Sequence, residues 1–371
     1  MRGLAAMMLA AMLAAGPAAA QDAVRTVESA AGPITVTEVT GGLVHPWGLD
    51  FLPDGRIVVT ERPGRVRLVG DEGLFEPLAG APEVWAEGQG GMLDVRVDPD
   101  FARNQRLWLA FAEPGEGGAS TALGHGRLEG DRIADFTTVF RMEPKHSGPN
   151  HFGARIVFAE DGSIFLTLAE RFEFDPAQDL SDHLGTVVRI LPDGSPHPDN
   201  PFLDRDDAQP EIWSYGHRNI QAAALEPGTG RLWIAEMGPR GGDELNLVER
   251  GANYGWPEVS WGSHYDRRPI PDPPTRPEFT DAVKQWTPVI APSGMTFYTG
   301  ERFAAFRGDL LIGGLQSQGI TRLRLDGEAV VEEELIDLGA RIREVDQGPR
   351  GAIYVLVDRA DGAIWRLTPG G

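Results

Sequence analysis

One pattern recurs six times along this chain and leaves few folds open to it. An apolar strand runs into an acidic-glycine turn or its equivalent, a second strand of large apolar residues follows, and a shorter strand completes the unit. The copies begin at Gly48, Leu93, Ala154, Ala222, Gly294 and Ile342. The first reads Gly48-Leu-Asp-Phe-Leu-Pro-Asp-Gly-Arg-Ile-Val-Val-Thr60, then Gly64-Arg-Val-Arg-Leu-Val69. The last reads Ile342-Arg-Glu-Val-Asp-Gln-Gly-Pro-Arg-Gly-Ala-Ile-Tyr-Val-Leu356, then Gly362-Ala-Ile-Trp-Arg-Leu367. Apolar and polar residues alternate at the strand period, and helical spacing is nowhere sustained. A fixed repeat of small antiparallel units predicts an all-β, six-bladed β-propeller with four-stranded antiparallel blades. A β-sandwich is the alternative, but it has no reason to repeat one hairpin signature six times.

Two segments interrupt the pattern. Residues 170–184 separate two strands of the third unit, and residues 253–292 carry Pro257, Pro269, Pro271, Pro273, Pro274 and Pro277. Loops this long in a compact domain are commonly functional, and in a ring of blades they would crown one face.

Composition narrows the chemistry. The 371 residues contain no Cys, which excludes disulfide scaffolds, thiolate zinc sites, iron–sulfur clusters and thiol catalysis. The formal net charge of −21 argues against nucleic acid as a partner. Residues 1–20 have a positive start at Arg2, an apolar run from Leu4 to Ala15 and small residues Ala18-Ala19-Ala20. That pattern predicts a secretory signal peptide, with 21–371 as a single propeller domain exported to the periplasm. No later apolar run reaches the length of a membrane span. The chain also lacks GxGxxG after a strand, GxxxxGK[ST], HExxH and GxSxG, which disfavours a nicotinamide domain, a P-loop, a zincin and an α/β-hydrolase.

The candidate chemistry sits in loops. His151, in Gly148-Pro-Asn-His-Phe-Gly-Ala-Arg155, lies at a strand entrance and is the side chain best suited to take a proton near neutrality; a capping loop histidine is the plainer alternative. His217, in Ser214-Tyr-Gly-His-Arg-Asn-Ile220, reads as a turn-stabilising residue beside Arg218 and Asn219. Arg341 and Arg343 are two apart on a strand and so face one side. Two guanidiniums on one face need an anion between them, or else ion pairs with carboxylates such as Glu344 and Asp346. The segment Glu236-Met-Gly-Pro-Arg-Gly-Gly-Asp-Glu-Leu-Asn246 mixes free carbonyls with carboxylates, the donor set a hard cation prefers, although a simple turn would read the same way.

In order along the chain stand His45-Pro-Trp-Gly-Leu-Asp, Glu87-Gly-Gln-Gly-Gly-Met-Leu, Asn150-His-Phe-Gly-Ala-Arg, Tyr215-Gly-His-Arg-Asn-Ile-Gln, the Glu236 segment, Asn253-Tyr-Gly-Trp-Pro and Ala291-Pro-Ser-Gly-Met. Together, from Val44 to Pro369, they resemble the soluble glucose/sorbosone (aldose sugar) dehydrogenases, quinoproteins that use pyrroloquinoline quinone (PQQ) and Ca²⁺ on a six-bladed propeller. The resemblance implies oxidation of an aldose to its lactone, with electrons passed to an external acceptor. It implies His151 as catalytic base, with Gln89 and Asn150 lining the site. Arg218 and Asn219 would touch the cofactor near its reactive carbonyl, and Arg341 and Arg343 would hold its carboxylates. The carbonyls of Gly238 and Pro239 would bind the Ca²⁺ that bridges to PQQ, with Asp243, Glu244 and Tyr254 at a second, structural Ca²⁺ site. A monomer or homodimer is expected. Gln316 stands where the family has a cofactor-proximal Lys, and Ala169-Glu170 where Gly-Asp is common. Two other readings stay open: a Ca²⁺-dependent propeller lactonase, against which the Arg pair argues, and a non-catalytic propeller that binds a sugar or partner at its crown.

Overall fold

The hairpin repeat folds as six antiparallel sheets around a common axis, one for each repeat. The computed structural model describes residues 24–270 and 274–370; the expected signal peptide lies outside them. Five of the six sheets take their strands in chain order, from the axis outward. The first blade is built from Pro46–Phe51, Ile57–Glu61, Arg65–Gly70 and Gly73–Leu74. The third is Ile156–Phe158, Ile164–Thr167, Val187–Ile190 and Ile212–Ser214. Among the described residues, helix is confined to Phe101–Asn104 and two 3-10 turns, Asp175–Gln178 and Ala304–Phe306.

The sixth blade differs. Its chain-terminal strands Ile342–Gln347, Ile353–Val357 and Gly362–Pro369 stop at three, and the N-terminal strand Ile34–Leu43 supplies the fourth by pairing antiparallel with Gly362–Pro369. Val24–Val27 adds a fifth. This closes the ring non-covalently and covers an edge that would otherwise offer unpaired backbone groups. It lies outside the repeat, so counting repeats does not reveal it. The segment 253–292 is also not all loop, because Lys284–Trp286 forms the outer strand of the fourth blade.

Position in a blade explains composition. Second strands have neighbours on both faces and read as unbroken apolar runs; Ile57–Glu61, Leu232–Glu236 and Leu310–Gly314 are buried throughout. The outer strand Ala329–Asp337 instead alternates exposed residues with half-buried ones and the buried Ile336. First strands line the axis and carry buried charge. Arg155 is buried with its guanidinium paired to Glu344 and, at 3.3 Å, to Asp94. It also donates to the carbonyls of Arg343 (3.0 Å) and Gln221 (2.7 Å) and stacks on Trp47 at 4.1 Å. One side chain thus ties five blades together. A Cβ at Gly294 would collide with the Glu344 carboxylate, so that position must be glycine for the charge to sit on the axis.

The topology sorts the loops. In every blade, the segment entering the first strand and the segment leaving the second lie at one end of the ring, and the turn joining them lies at the other. Pro53-Asp54-Gly55 is such a turn, with Gly55 at φ +92°. All the residues singled out for chemistry belong to the entry end or to the loops beside it.

Candidate active site

Antiparallel pairing brings the residue entering a first strand against the residue leaving the second. In the third blade this joins His151 to Glu170. His151 Nδ1 lies 2.6 Å from Glu170 Oε1, and both side chains are buried. The carboxylate accepts, so Nδ1 carries the proton and Nε2 keeps its lone pair; Nε2 has no partner among the described residues. Glu170 is fixed in turn by the Phe174 N–H on Oε2 (2.9 Å) and by its own N–H on the Arg218 carbonyl (3.0 Å). The His151 N–H donates to Gln89 Oε1 (2.9 Å), and Arg171 holds the His151 carbonyl (3.1 Å). Phe172 meets the imidazole edge-on at 5.1 Å. His151, Arg171, Phe172 and Phe174 all have φ between +53° and +67°, a region costly for non-glycine residues. Burial pushes the His151 imidazole below its ordinary value, Glu170 opposes this, and Arg218 and Arg171 reinforce it. The result is an imidazole that favours the neutral form, held in one orientation with Nε2 left open.

The sixth blade repeats the geometry with opposite charge. Arg343 donates to Asp358 (2.6 Å) and to Gln221 Oε1 (2.6 Å), and Arg341 reaches the same carboxylate at 3.5 Å. The anion between the arginines is therefore Asp358, not Glu344 or Asp346, which pair with Arg155 and Arg96. Asp358 also meets His45 Nδ1 at 3.1 Å. Although buried, its carboxyl is held well below the usual range by Arg343 and these neighbours. One carboxylate does not neutralise two guanidiniums. Both arginines line a cavity of about 260 Å³ with Arg62, Gln89, Gln221 and Trp47, and Arg343 Nε is buried there without a partner.

The fourth blade supplies the remaining wall. The Arg218 guanidinium donates to the carbonyls of Met237 (2.8 Å) and Gly238 (3.0 Å), reaches the Tyr265 hydroxyl at 3.3 Å and lies over Trp256. Its Nε and Asn219 Oδ1 are buried and unpartnered. His217 is structural, as expected: it bridges Ser214 and Glu236 and stacks on Tyr254 at 4.5 Å. Asp243 accepts the N–H groups of Gly238 (2.8 Å) and Ala291 (2.7 Å), so it braces the loop; burial raises its carboxyl to about 6. The Tyr254 hydroxyl is engaged with Leu247 and Glu249. Glu244 has spare capacity: burial, then the charge of Glu236, push its carboxyl well above the usual range. Glu236, Glu244, Gly238 and Tyr254 border a pocket of about 10 Å³, room for one water-sized occupant. Carboxylates and carbonyls are the oxygen donors a hard cation such as Ca²⁺ prefers, but here Arg218 already occupies the Gly238 carbonyl and Glu236 already accepts from His217 and the Arg218 N–H, which leaves Glu244 as the carboxylate with capacity to spare. Among the described residues, no three His, Asp or Glu side chains converge as a ready metal cage.

Pro239 lies in an adjoining cavity of about 200 Å³ with Phe172, Phe174, Arg218, His264 and Tyr265. Asn150 is half-buried beside His151, and Gln316 is exposed, next to Leu315, whose carbonyl takes Arg341 at 3.4 Å. The structure therefore gathers Gln89, His151, Arg218, Asn219, Arg341 and Arg343 at one end of the ring. It adds four residues that motif reading passed over or noted only as departures: Glu170, Asp358, Gln221 and the aromatic Tyr265. The signal for the first two was available, since each is a carboxylate leaving a second strand whose partner strand is entered by His or Arg. First strands are bulged against second strands near this end in five of the six blades, which turns their leading side chains toward the centre.

No helix among the described residues is long and apolar enough to cross a membrane. The family model described as glucose/sorbosone dehydrogenase matches residues 43–366. The aldose sugar dehydrogenase YliI of Escherichia coli (strain K12) is 42% identical over 347 residues, 91% of this chain and 93% of that protein. A crystal structure of a glucose dehydrogenase is 46% identical with a TM-score of 0.88, covering 91% of this chain and 99% of that one. The PQQ-bound aldose sugar dehydrogenase of Streptomyces coelicolor is 27% identical with a TM-score of 0.75, covering 94% and 99%. The chain belongs to the glucose/sorbosone dehydrogenase family of sugar-oxidising enzymes.

Proposed function

We propose that this protein oxidises an aldose at the anomeric carbon to the lactone, using PQQ and Ca²⁺, with His151 as general base. The observation that carries the reading is the His151–Glu170 pair set across from an arginine-lined cavity with buried, unspent donors. Arg341, Arg343 and Arg62 suit a polycarboxylate, because guanidinium forks pair with carboxylates in fixed geometry. Arg218 and Asn219 offer further buried polar atoms on the wall nearest His151. The carbonyls of Gly238 and Pro239 are the groups that would hold the cation at the cofactor, and Glu244, with Asp243 and Tyr254, belongs to the second, structural cation site. When bound, PQQ supplies the hydride acceptor and Ca²⁺ the Lewis acidity.

The chain's own work is acid–base and positional. His151 Nε2 takes the proton of the anomeric hydroxyl as the hydride leaves the same carbon, and the carbonyl of the lactone forms between them. Glu170 keeps the imidazole in the required tautomer and stabilises the imidazolium that results. Phe172 and Tyr265 give the sugar an apolar wall, and the crown loops limit water. The electrons would then pass to an external acceptor. The composition of residues 1–20 supports export to the periplasm.

The test is reconstitution with PQQ and Ca²⁺ followed by an aldose panel with an artificial acceptor. Turnover that needs both additions is expected. Absence of turnover together with absence of a bound-cofactor spectrum overturns the reading, and lactone hydrolysis by cofactor-free protein would replace it.

A further inference from the structure

At the opposite end of the ring from His151, a cavity of about 410 Å³ opens between the first and sixth blades. It is larger than the cavity at Arg341 and Arg343, and its lining reverses the charge of the molecule. Arg56, Arg302, Arg350 and Arg366 face two carboxylates, Asp54 and Asp71, in a chain with 55 acidic and 34 basic residues. Only one of the four arginines is neutralised: Arg56 pairs with Asp54 at 2.6 Å. Arg302 spends its Nε on the Arg350 carbonyl at 2.8 Å. Arg350 and Arg366 donate no side-chain hydrogen bond among the described residues, and Arg366 Nε is buried without a partner. Buried donors are normally satisfied, so an unpaired guanidinium nitrogen beside a cavity asks for an acceptor.

The position of Arg366 is set by the fold. It pairs across the sheet with Tyr354, so the two side chains share a face. Tyr354 packs edge-to-face on Phe51 at 5.0 Å, and Pro53 and Pro349 continue the apolar wall. Charge therefore gathers beside an aromatic surface. An inorganic ion would use the guanidiniums and leave that wall wet, whereas an organic anion would use both.

We propose that this cavity binds a small organic dianion whose apolar ring lies against Phe51 and Tyr354 and whose phosphoryl or paired carboxylate groups are held by Arg350 and Arg366. The two residues lie at the far end of the strands from His151, so the site is separate from the oxidation chemistry.

The test is calorimetric titration of the full chain at low salt with phenyl phosphate, phthalate and inorganic phosphate. Phthalate and phenyl phosphate separate the carboxylate from the phosphoryl source of the same chemistry, and one of them is expected to bind at one site at least about tenfold more tightly than inorganic phosphate. Arg350→Gln alone, at an exposed position, should weaken that binding, and Arg350→Gln/Arg366→Gln should weaken it by about tenfold or more, the scale of a lost charge-assisted hydrogen bond. Both variants should keep the parent melting temperature and sugar oxidation. Arg341→Gln should leave the binding intact. Equal binding of inorganic phosphate, no binding of either organic anion, binding that survives the double substitution, or binding lost on Arg341→Gln would each overturn the proposal.

Discussion

The His151 and Arg343 sides of the site use one piece of backbone geometry for opposite ends. In each blade a residue entering the first strand meets a carboxylate leaving the second, Glu170 for His151 and Asp358 for Arg343. The His151 pair is internally complete: Glu170 satisfies Nδ1, burial keeps the ring neutral, and only Nε2 is left to act. The Arg343 pair is incomplete, because Asp358 is shared with Arg341 and His45 and Arg343 Nε stays unpartnered. A base has to be satisfied everywhere except at the reacting atom, and an anchor has to keep donors in reserve. The same hairpin geometry suits both proposed roles, and the difference lies in how many cations share each carboxylate.

The sharpest way to break this contrast is His151→Gln. Removing a general base costs roughly 10²–10⁴-fold in rate, while cofactor affinity should stay near that of the parent because the arginine side is untouched. Steady-state turnover beside a cofactor titration reads both, and normal turnover would reassign the base. Arg341→Gln should do the reverse. It is half-exposed and makes only long contacts, so the fold should tolerate it. Loss of one charge-assisted bond, about 1.5–3 kcal/mol, weakens cofactor binding by about tenfold or more with turnover of the loaded enzyme little changed. Titration of the apoprotein measures it.

Much of this is legible in the sequence. The repeat announces six blades because each hairpin carries its own turn chemistry, and His151, Arg218 and Arg343 stand out as polar residues at strand entrances. Strand Ile34–Leu43 was hidden because it completes a blade begun more than three hundred residues later, and no local pattern records that pairing. Asp358 was hidden for a different reason: Glu344 and Asp346 are nearer in sequence, but on a first strand they point into the axis, where Arg155 and Arg96 take them. Proximity in sequence lost to the register of the hairpin.

Glu170→Gln tests whether the His151 pair works as a unit. Burial lowers the imidazole and the Glu170 charge partly restores it. Removing that charge lowers it further, so the acidic limb of kcat/KM should move to lower pH. The plateau should fall by about tenfold, on the scale of one charge-assisted hydrogen bond to the imidazolium. A pH–rate profile separates this from simple misfolding, which would lower the plateau without moving the limb.

The smallest effect belongs to Gln316→Lys, which adds to the arginine side a cation that the family resemblance expects there. Gln316 is exposed and follows Leu315, whose carbonyl holds Arg341, so the new ammonium would lie at the rim of the cavity. Exposed charge pairs contribute only about 0.2–1 kcal/mol, so the gain in affinity for an anionic cofactor should be no more than about fivefold. A rim interaction is screened, and the gain should disappear when the titration is repeated at high ionic strength. A gain that persists in salt would place the ammonium inside the cavity, against the bound anion. The reserve of donors proposed for Arg341 and Arg343 would then extend to the loop leaving the second strand of the fifth blade.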